Sequence, residues 1–414
     1  MTRSTLRIVL VCGEAPGSGG VGRYTVELAR GLVAEGHHVE LALRGSEDGV
    51  EQRDGLTVHR LTMPAPSRRR SAAAMMRRAH AAREAVVFSS RVAQLVERLG
   101  RSDGVDVVEA AELHASGLAA ALQPRARGGR HRGPIVVARL HTPSFLGESV
   151  AGRPPTADRR LLERLERSAV RTATIVTAPS TAIATEVAAR WGGGMRRRVQ
   201  VIPNPVDADC FCPRDEPADP ATLLIVGRIE RRKGQDVAVE ALPAIRSDVP
   251  GARLLLVGAD SEPSEGGVSA LGLLRRRVAA LGMPEDALQA TGPVWRDELP
   301  GLLARATVCL VPSRLVSFGY TCLEAMACGR AVVASATGGL AEIVNDGHDG
   351  LLAERDNAPA LAHAAIALLS DSELRARIEH GARATIDQRF AAPVVARQLA
   401  ALYADAASAS TGGR

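Results

Sequence analysis

A continuous apolar run, a glycine-rich turn and an amphipathic helix follow one another at the start of the chain, and the same order returns from Thr222 onward. Residues 6–12 are apolar except for Arg7, which is typical of a parallel strand buried on both faces. After the glycines, apolar residues recur at helical spacing up to Gly36: Val21, Tyr24, Leu28 and Leu32. Residues 39–43 then form the next apolar run, so the pattern predicts a βαβ unit that opens a doubly wound sheet.

Further short apolar runs alternate with helical segments along both halves of the chain. They predict strands over residues 105–109, 135–140, 175–178, 199–202, 222–227, 252–257, 288–291, 307–311, 331–335 and 350–352. Two prolines interrupt the pattern at residues 201–207, VIPNPVD, where we place the domain boundary. Residues 393–407 carry an amphipathic pattern, so we expect a terminal helix after the second α/β domain.

Composition narrows the class of protein. The chain has 414 residues, 46% of them hydrophobic and 24% charged, which is typical of a folded globular protein with two cores. No apolar stretch reaches the length of a signal-peptide core or a membrane span, so we expect a cytoplasmic protein. The six cysteines lack CxxC spacing, which predicts reduced thiols and no metal site, although Cys210 and Cys212 could form a redox pair.

Basic residues are almost all arginine. The net charge is +6, which suits an anionic ligand, but aromatic residues are only 2% of the chain, so stacking platforms for nucleic acid are few and we expect no nucleic-acid partner. Arg68–Arg70, Arg77 and Arg78 flank Met75 and Met76; this segment could contact an anionic membrane surface, shape an acceptor site or be a solvated face. Lys233 is the single lysine, which indicates a place where a compact point charge is needed.

Three glycine-containing loops join strands to helices. GGVGRY at 19–24 could face a phosphate or sugar, although its glycines do not match the dinucleotide fingerprint. VGRIERRKG at 226–234 brings Arg228 and Lys233 into one loop at the carboxyl end of a strand, where they could converge on a diphosphate. In 311–329, the amides of Gly319, Tyr320 and Thr321 could bind an anion, and Glu324 could accept hydrogen bonds from a ribose diol.

These motifs, with VIPNPVD, TGPVWRDEL and TGGLAEIV, resemble the large group-4 family of retaining, nucleotide-sugar-dependent glycosyltransferases. The resemblance covers almost the whole chain. It implies the GT-B fold: an N-terminal Rossmann-like domain at 1–203 for the acceptor, a C-terminal one at 204–390 for the nucleotide sugar, a cleft between them, and a terminal helix at about 391–414 crossing back to the first domain. It also implies transfer without a metal or other cofactor, with a UDP-sugar ahead of a GDP-sugar as donor and a small molecule, lipid or glycan as acceptor.

The resemblance also assigns residues. Arg228 and Lys233 become the diphosphate clamp, His141 bonds the donor sugar, and Glu324 binds the ribose. The remaining implied donor contacts are Gly20, Gly22, Val294, Val316, Phe318, Gly319, Tyr320 and Thr321. Glu109, Glu112 and His114 follow a strand end in the N-terminal domain and are candidates for acceptor binding.

One residue departs from the family pattern. Val316 stands eight positions before Glu324, where the family has a glutamate that contacts hydroxyls of the donor sugar. Valine cannot accept a hydrogen bond. We expect altered donor selectivity because the clamp and the ribose ligand are present. A pseudoglycosyltransferase, a donor hydrolase and a non-catalytic nucleotide-sugar-binding protein are the alternatives.

Overall fold

A computed structural model describes residues 5–14, 19–53, 55–63, 79–102, 104–122, 133–146, 156–195, 197–216, 218–260 and 267–412. The arginine-rich segment 68–78, for which the sequence analysis considered a membrane or acceptor contact, lies outside these residues. The chain divides into two compact units: unit 1 is Met1–Pro205 with Ala392–Arg414, and unit 2 is Val206–Ala391.

Unit 1 is built on an eight-stranded sheet in the order β3-β4-β2-β1-β5-β6-β7-β8. All neighbouring strands are parallel except β3 and β4. Its elements are β1 (Arg7–Cys12), α1 (Gly19–Ala34), β2 (His38–Gly45), β3 (Gly49–Arg53), β4 (Leu56–Thr62), α2 (His80–Ser102), β5 (Val107–Ala111), α3 (Leu118–Leu122), β6 (Ile135–Arg139), α4 (Ala157–Thr172), β7 (Ile175–Ala178), α5 (Thr181–Trp191) and β8 (Val199–Val201).

Unit 2 is built on a six-stranded parallel sheet in the order β11-β10-β9-β12-β13-β14. Its elements are β9 (Thr222–Val226), α6 (Gln235–Asp248), β10 (Arg253–Val257), α7 (Ala270–Ala280), β11 (Leu288–Gly292), α8 (Leu299–Arg305), β12 (Val308–Val311), α9 (Tyr320–Ala327), β13 (Ala331–Ser335), α10 (Leu340–Ile343), β14 (Leu351–Ala353), α11 (Ala358–Ser370) and α12 (Ser372–Thr385). Two apolar clusters cover the two faces of this sheet.

The terminal helix α13 (Ala392–Gly412) packs on α1 in unit 1. Gly31 of α1 makes the close approach possible, because a β-carbon there would lie 2.7 Å from the carbonyl oxygen of Ala392. Val395, Leu399 and Tyr403 of the helix are fully buried. These apolar positions of the amphipathic pattern at residues 393–407 are therefore buried within unit 1.

The sheets confirm the predicted class of two doubly wound α/β units. The apolar runs match strands, with small shifts such as Val107–Ala111 in place of residues 105–109. The antiparallel pair β3 and β4 was missed because neither strand is a continuous apolar run: polar residues interrupt β4, and β3 is an edge strand with four of its five residues charged, polar or glycine.

The order of strands places one switch point in each unit, where the chain reverses its direction of winding across the sheet. In unit 1 this point lies between β1 and β5, and in unit 2 between β9 and β12. Ligands of doubly wound sheets bind outside the carboxyl ends of the strands at such points. No helix among the described residues combines the length and apolar character needed to cross a bilayer.

Candidate active site

Lys233 folds back onto the carboxyl end of β9. A β-carbon at Gly227 would lie 3.3 Å from its Cε and 3.6 Å from its Nζ, and Gly227 itself has φ +138°. The lysine ends a short 3-10 turn, Arg231–Lys233, which closes on Gly234 at φ +73°. Glycine is required at 227 both for this backbone conformation and for the room that the lysine stem occupies.

Arg228 extends from the same loop into solvent. Its side chain is 71% exposed, and its Nη2 atom lies 3.5 Å from Glu230 Oε2. The other oxygen of Glu230 accepts a hydrogen bond from Arg232 Nη2 at 2.6 Å. Residues 228–233 therefore carry four cationic side chains and a single carboxylate at the switch point of unit 2, an arrangement that attracts an anion.

Arg314, in the loop after β12, braces the 228–234 loop. Its guanidinium donates to both carboxylate oxygens of Asp236, at 2.7 and 2.8 Å, and to the carbonyl of Arg231 at 2.5 Å. It also pairs with Asp356, and its backbone N–H donates to the carbonyl of Arg232 at 2.9 Å. The Asp236 hydrogen bonds chiefly raise the pKa of Arg314. Sequence reasoning gave this arginine no role.

The segment 316–319 lies directly on the Gly338-Gly339 turn. A β-carbon at Gly338 would be 2.4 Å from the Val316 carbonyl oxygen, and one at Gly339 would be 2.6 Å from that of Phe318. The side chains of Val316 and Phe318 are buried in the apolar cluster, the former only 8% exposed. The side chains of Val316 and Phe318 therefore belong to the core of unit 2 and not to its exposed surface.

Helix α9 begins at Tyr320, after Gly319 at φ +122°. A β-carbon at Gly319 would lie 2.7 Å from Leu340 Cδ2, so this glycine also permits close packing against α10. Thr321 is half-buried in the first turn, and Glu324, one turn further along, is fully buried. Gly319, Tyr320, Thr321 and Glu324 all follow the carboxyl end of β12, beside the switch point.

Val294 lies in the loop after β11, where it packs partly buried against the apolar cluster. The following residue, Trp295, is 79% exposed, and its backbone N–H donates to Glu298 Oε2 at 2.9 Å. Because β11 is the edge strand of the sheet, Val294 is separated from the 228–234 loop by the end of β10.

In unit 1, the start of α1 already binds a carboxylate. The backbone N–H of Gly22 donates to Glu14 Oε2 at 3.3 Å, and a β-carbon on Gly19 would lie 2.5 Å from the same oxygen. An added β-carbon on the neighbouring Gly20 would meet nothing within 4 Å. Glu14 thus occupies the helix end where sequence reasoning placed an anionic ligand. Both are favoured there because the N-terminus of a helix attracts negative charge.

His141 lies just beyond β6 and is almost fully buried. Its backbone N–H donates to Glu112 Oε2 at 2.9 Å, and its ring packs edge-to-face on Tyr24, with the centroids 4.8 Å apart. Its Nε2 atom is buried without a hydrogen-bond partner among the described residues. Burial, followed by the charge of Arg139, holds the pKa of His141 well below its usual value, so the imidazole is neutral at pH 7.

Two buried carboxyls lie beside His141. Burial raises the pKa of Glu112 to about 8, and the charge of Glu166 adds to the rise. Burial likewise raises the pKa of Glu166 to about 7, although this carboxyl accepts hydrogen bonds from the Ser144 hydroxyl and from the His114 N–H. The His114 backbone has φ +59°, an uncommon conformation outside glycine.

Glu109 is also buried, at 3% exposure, and both of its oxygens are engaged by tyrosine hydroxyls. Tyr24 donates to Oε1 at 2.6 Å, and Tyr403 of α13 donates to Oε2. Burial raises the pKa of this carboxyl, an effect opposed chiefly by Arg139. Sequence reasoning could not reveal these partners, since Tyr403 is distant in the chain.

The predicted residues thus form two groups, one in each unit. In unit 2, the 228–234 loop, the 316–324 segment and Val294 follow β9, β12 and β11, respectively. In unit 1, Gly20 and Gly22 follow β1, Glu112 and His114 follow β5, and His141 follows β6, while Glu109 lies within β5. Among the described residues, no three His, Cys, Asp or Glu side chains gather as a set of metal ligands.

Comparison with known proteins identifies the family of the chain. Residues 18–209 match the model of Glycosyltransferase Family 4, and residues 220–371 match that of Glycosyl transferases group 1. A D-inositol 3-phosphate glycosyltransferase from Arthrobacter sp. is 31% identical over 384 residues, which are 87% of this chain and 85% of the relative. The chain belongs to glycosyltransferase family 4. The resemblance found in the motifs is thereby confirmed at the level of the family.

Other relatives align over a shorter stretch of the chain. A D-inositol 3-phosphate glycosyltransferase from Acidothermus cellulolyticus is 37% identical over 203 residues, which are 45% of this chain. The alignment spans only 43% of that relative's length, and the corresponding share for the Geodermatophilus obscurus relative is 42%.

Solved structures share the fold. Sucrose-phosphate synthase from Thermosynechococcus elongatus superposes with a TM-score of 0.71 at 23% identity, covering 98% of this chain and 100% of the other. Anabaena HepE in complex with UDP and glucose gives 0.68 at 21% identity, covering 96% and 99%. The chain therefore has the predicted GT-B class of fold, with two Rossmann-like units.

Proposed function

We propose that this glycosyltransferase is a retaining enzyme that moves a hexose or modified hexose from a nucleoside-diphosphate sugar to an acceptor hydroxyl, without a metal. The observation that carries the proposal is the 228–233 loop, where the only lysine of the chain folds against Gly227 beside the exposed Arg228. Such preorganised cations stabilise the negative charge of a leaving diphosphate, which is the task a metal ion performs elsewhere.

Unit 2 is the proposed donor site. Arg228 and Lys233 clamp the diphosphate, and the amides of Gly319, Tyr320 and Thr321 at the start of α9 hold the distal phosphate and the sugar. Glu324 binds the ribose hydroxyls, and the backbone near Val294 contacts the base. UDP is the first nucleotide to test, because the structural neighbour HepE is a complex with UDP and glucose.

Unit 1 is the proposed acceptor site, with contributions to the donor from Gly20, Gly22 and His141. The neutral imidazole of His141 suits a hydrogen bond to a sugar hydroxyl, since its buried Nε2 atom has no protein partner among the described residues. Glu112 and His114 are the acceptor-binding candidates. The relatives' name makes D-inositol 3-phosphate the first acceptor to assay.

The proposed transfer occurs on one face of the sugar. The bond between the anomeric carbon and the β-phosphate oxygen breaks, and the acceptor oxygen forms a new bond to the same carbon on the same face. The acceptor proton passes to the departing phosphate oxygen, so no protein nucleophile is needed. The protein positions the two substrates and neutralises the charge that develops on the diphosphate.

Val316 supports a second candidate function. Its apolar side chain is packed among apolar neighbours, at a position where the family resemblance implies a glutamate that contacts the donor sugar. A protein that transfers a pseudosugar, hydrolyses the donor or only binds it would keep the diphosphate clamp without that contact. Measuring free sugar released from the donor in the absence of acceptor distinguishes hydrolysis from transfer.

Calorimetric titration with UDP, GDP, ADP and dTDP, in the presence of a chelator, tests the donor site. We expect one nucleotide to bind and Lys233→Ala to weaken it about 100-fold, since a charge-assisted contact to phosphate is lost. Arg231→Ala is the matched control: it removes one positive charge from the same loop, but its exposed side chain has no assigned role.

If both variants weaken nucleotide binding equally, the loop acts only through its net positive charge, and the specific role of Lys233 is refuted. No binding of any of the four nucleotides would overturn the donor site itself. Where binding is found, transfer to D-inositol 3-phosphate and other polyols is followed by release of the nucleoside diphosphate, and by product configuration from the anomeric proton coupling. An inverted product would overturn the retaining assignment.

A further inference from the structure

Glu109 joins two tyrosines from opposite ends of the chain inside unit 1. Tyr24 of α1 donates its hydroxyl to Oε1 at 2.6 Å, and Tyr403 of the terminal helix α13 donates to Oε2. All three side chains are buried. The carboxylate therefore fixes the rotation of both phenol rings, because each hydroxyl hydrogen bond defines where the ring's outer end must lie.

Tyr24 is held on its other sides by Arg139 and His141. The Arg139 guanidinium carbon lies 4.7 Å from the centre of the Tyr24 ring, and its Nη2 atom donates to the Ile202 carbonyl at 2.8 Å and to Asn204 Oδ1 at 2.7 Å. The His141 ring meets Tyr24 at an interplanar angle of 73°. A shift of Tyr24 would therefore move the imidazole that packs against its ring.

We propose that Glu109 and Tyr403 are positioning residues: through Tyr24 they set the orientation of the His141 imidazole, so the terminal helix controls a residue of the active site that it does not itself supply. The role in catalysis rests on the proposed function, in which His141 bonds the donor sugar. The geometric part does not, because the contacts that link the four side chains belong to unit 1 alone.

The free-energy cost of burying these charged groups indicates that they orient Tyr24 and do not serve mainly to stabilise the fold. Burying a carboxylate is expensive, and apolar side chains of similar volume often pack at the same position with equal or greater stability. Here the buried Glu109 carboxylate and the buried Arg139 guanidinium both contact Tyr24. The carboxylate accepts a hydrogen bond from the Tyr24 hydroxyl, and the guanidinium lies over the Tyr24 ring. Directional bonds of this kind specify a geometry that dispersion alone leaves loose.

The first test is spectroscopic and does not need activity. In full-length protein labelled with carbon-13 in its histidine rings, the His141 resonances are assigned by comparison with His141→Gln. Tyr403→Phe removes one hydroxyl and keeps the ring, and we expect it to shift or broaden the His141 ring resonances. Leu399→Ala, at a fully buried apolar position on the same helix, is the control and should leave them in place.

Unchanged His141 resonances in Tyr403→Phe would overturn the proposal, as would equal changes in the Leu399→Ala control. Tyr24→Phe should move the same resonances, since it removes the other hydroxyl from Glu109. These outcomes stand whether or not the protein transfers a sugar.

The second test is kinetic. With a donor and acceptor that support transfer, Tyr403→Phe should lower kcat about tenfold while the donor KM changes less than about twofold, because orientation and not binding is lost. Lys233→Ala, in contrast, should weaken donor binding itself. A Tyr403→Phe enzyme with unaltered kcat would overturn the positioning role even if the resonances move, whereas absence of transfer by the wild-type protein would count against the proposed function alone.

Discussion

The ammonium group of Lys233 lies over Gly227, 3.6 Å from the place where a β-carbon of that glycine would be. The lysine stem thus uses space that a side chain at 227 would fill. The backbone at Gly227, directly after β9, therefore decides where the Lys233 ammonium group lies. Substitution of Gly227 is thus as informative as substitution of the lysine.

Gly227→Ala should weaken binding of the nucleoside diphosphate by about tenfold and lower the free energy of unfolding by about 1 kcal/mol, because the methyl group both strains the backbone at φ +138° and displaces Lys233. Isothermal calorimetry and urea unfolding measure the two effects. Gly251→Ala is the control: it also has positive φ, but an added β-carbon meets nothing within 4 Å. Equal loss of affinity in both variants would argue against displacement of the lysine.

Arg314→Lys should weaken nucleotide binding and lower stability by about 1–2 kcal/mol, since lysine keeps the charge but cannot form the two-pronged contact with Asp236. Calorimetry and urea unfolding are again the measurements. Arg305→Lys, in an exposed ion pair with Asp219 at 2.8 Å, should change either quantity little. The bracing role of Arg314 would be refuted by a variant that binds nucleotide as the wild type does.

Val316→Glu should change the ranking of donor sugars by kcat/KM more than it changes the affinity for free nucleotide. The added carboxylate starts from a position only 8% exposed, so we also expect a loss of stability of about 1–3 kcal/mol. Val344→Ala, in the same apolar cluster, controls for loss of stability alone. An unaltered donor ranking would show that position 316 does not select the sugar.

Glu112 and Glu166 should make the stability of unit 1 depend on pH. Their pKa values in the folded state, about 8 and about 7, lie above the ordinary 4.5, so the folded protein binds more protons than the unfolded chain and loses stability as the pH rises through this range. His141 acts in the opposite sense, because its folded pKa is lowered, but its contribution is complete near its ordinary value of 6.5. Above pH 7, the change in the free energy of unfolding therefore comes from the buried carboxyls.

Between about pH 7 and pH 8.5 the free energy of unfolding of unit 1 should fall by about 1 kcal/mol, and Glu112→Gln should remove most of this fall. Trp191 is buried in unit 1 and Trp295 is the only other tryptophan of the chain. Urea unfolding followed by Trp191 fluorescence, with Trp295→Phe in both proteins, isolates the unit concerned. A fall of the same size in the Glu112→Gln variant would assign the effect elsewhere.

The sequence predicted those features that depend on short stretches of chain. Apolar runs located the strands, and the carboxyl ends of β9 and β12 follow directly from them, which is why the positions of the 228–234 loop and the 316–324 segment could be predicted. Strand β3 was missed because an edge strand with two exposed faces needs no apolar pattern.

Contacts between distant residues were beyond reach. Nothing near Glu109 in the chain indicates that Tyr403 donates to it, and the same is true of Arg314 and Asp356. Glu14 carries a local signal that was overlooked: a carboxylate shortly before a glycine-rich helix start is well placed to accept from the helix amides. The sequence marks Val316 as a departure from the family pattern, but its burial among apolar neighbours could only come from the fold.

The return of α13 to unit 1 has a consequence for biosynthesis. Residues 392–412 leave the ribosome after all of unit 2, so until then α1 lacks the helix that covers Gly31, and Glu109 lacks Tyr403. Unit 2, which is continuous in the chain, can complete its core first. The nascent protein thus carries an incomplete unit 1 throughout the synthesis of unit 2, and α13 is the helix that completes it.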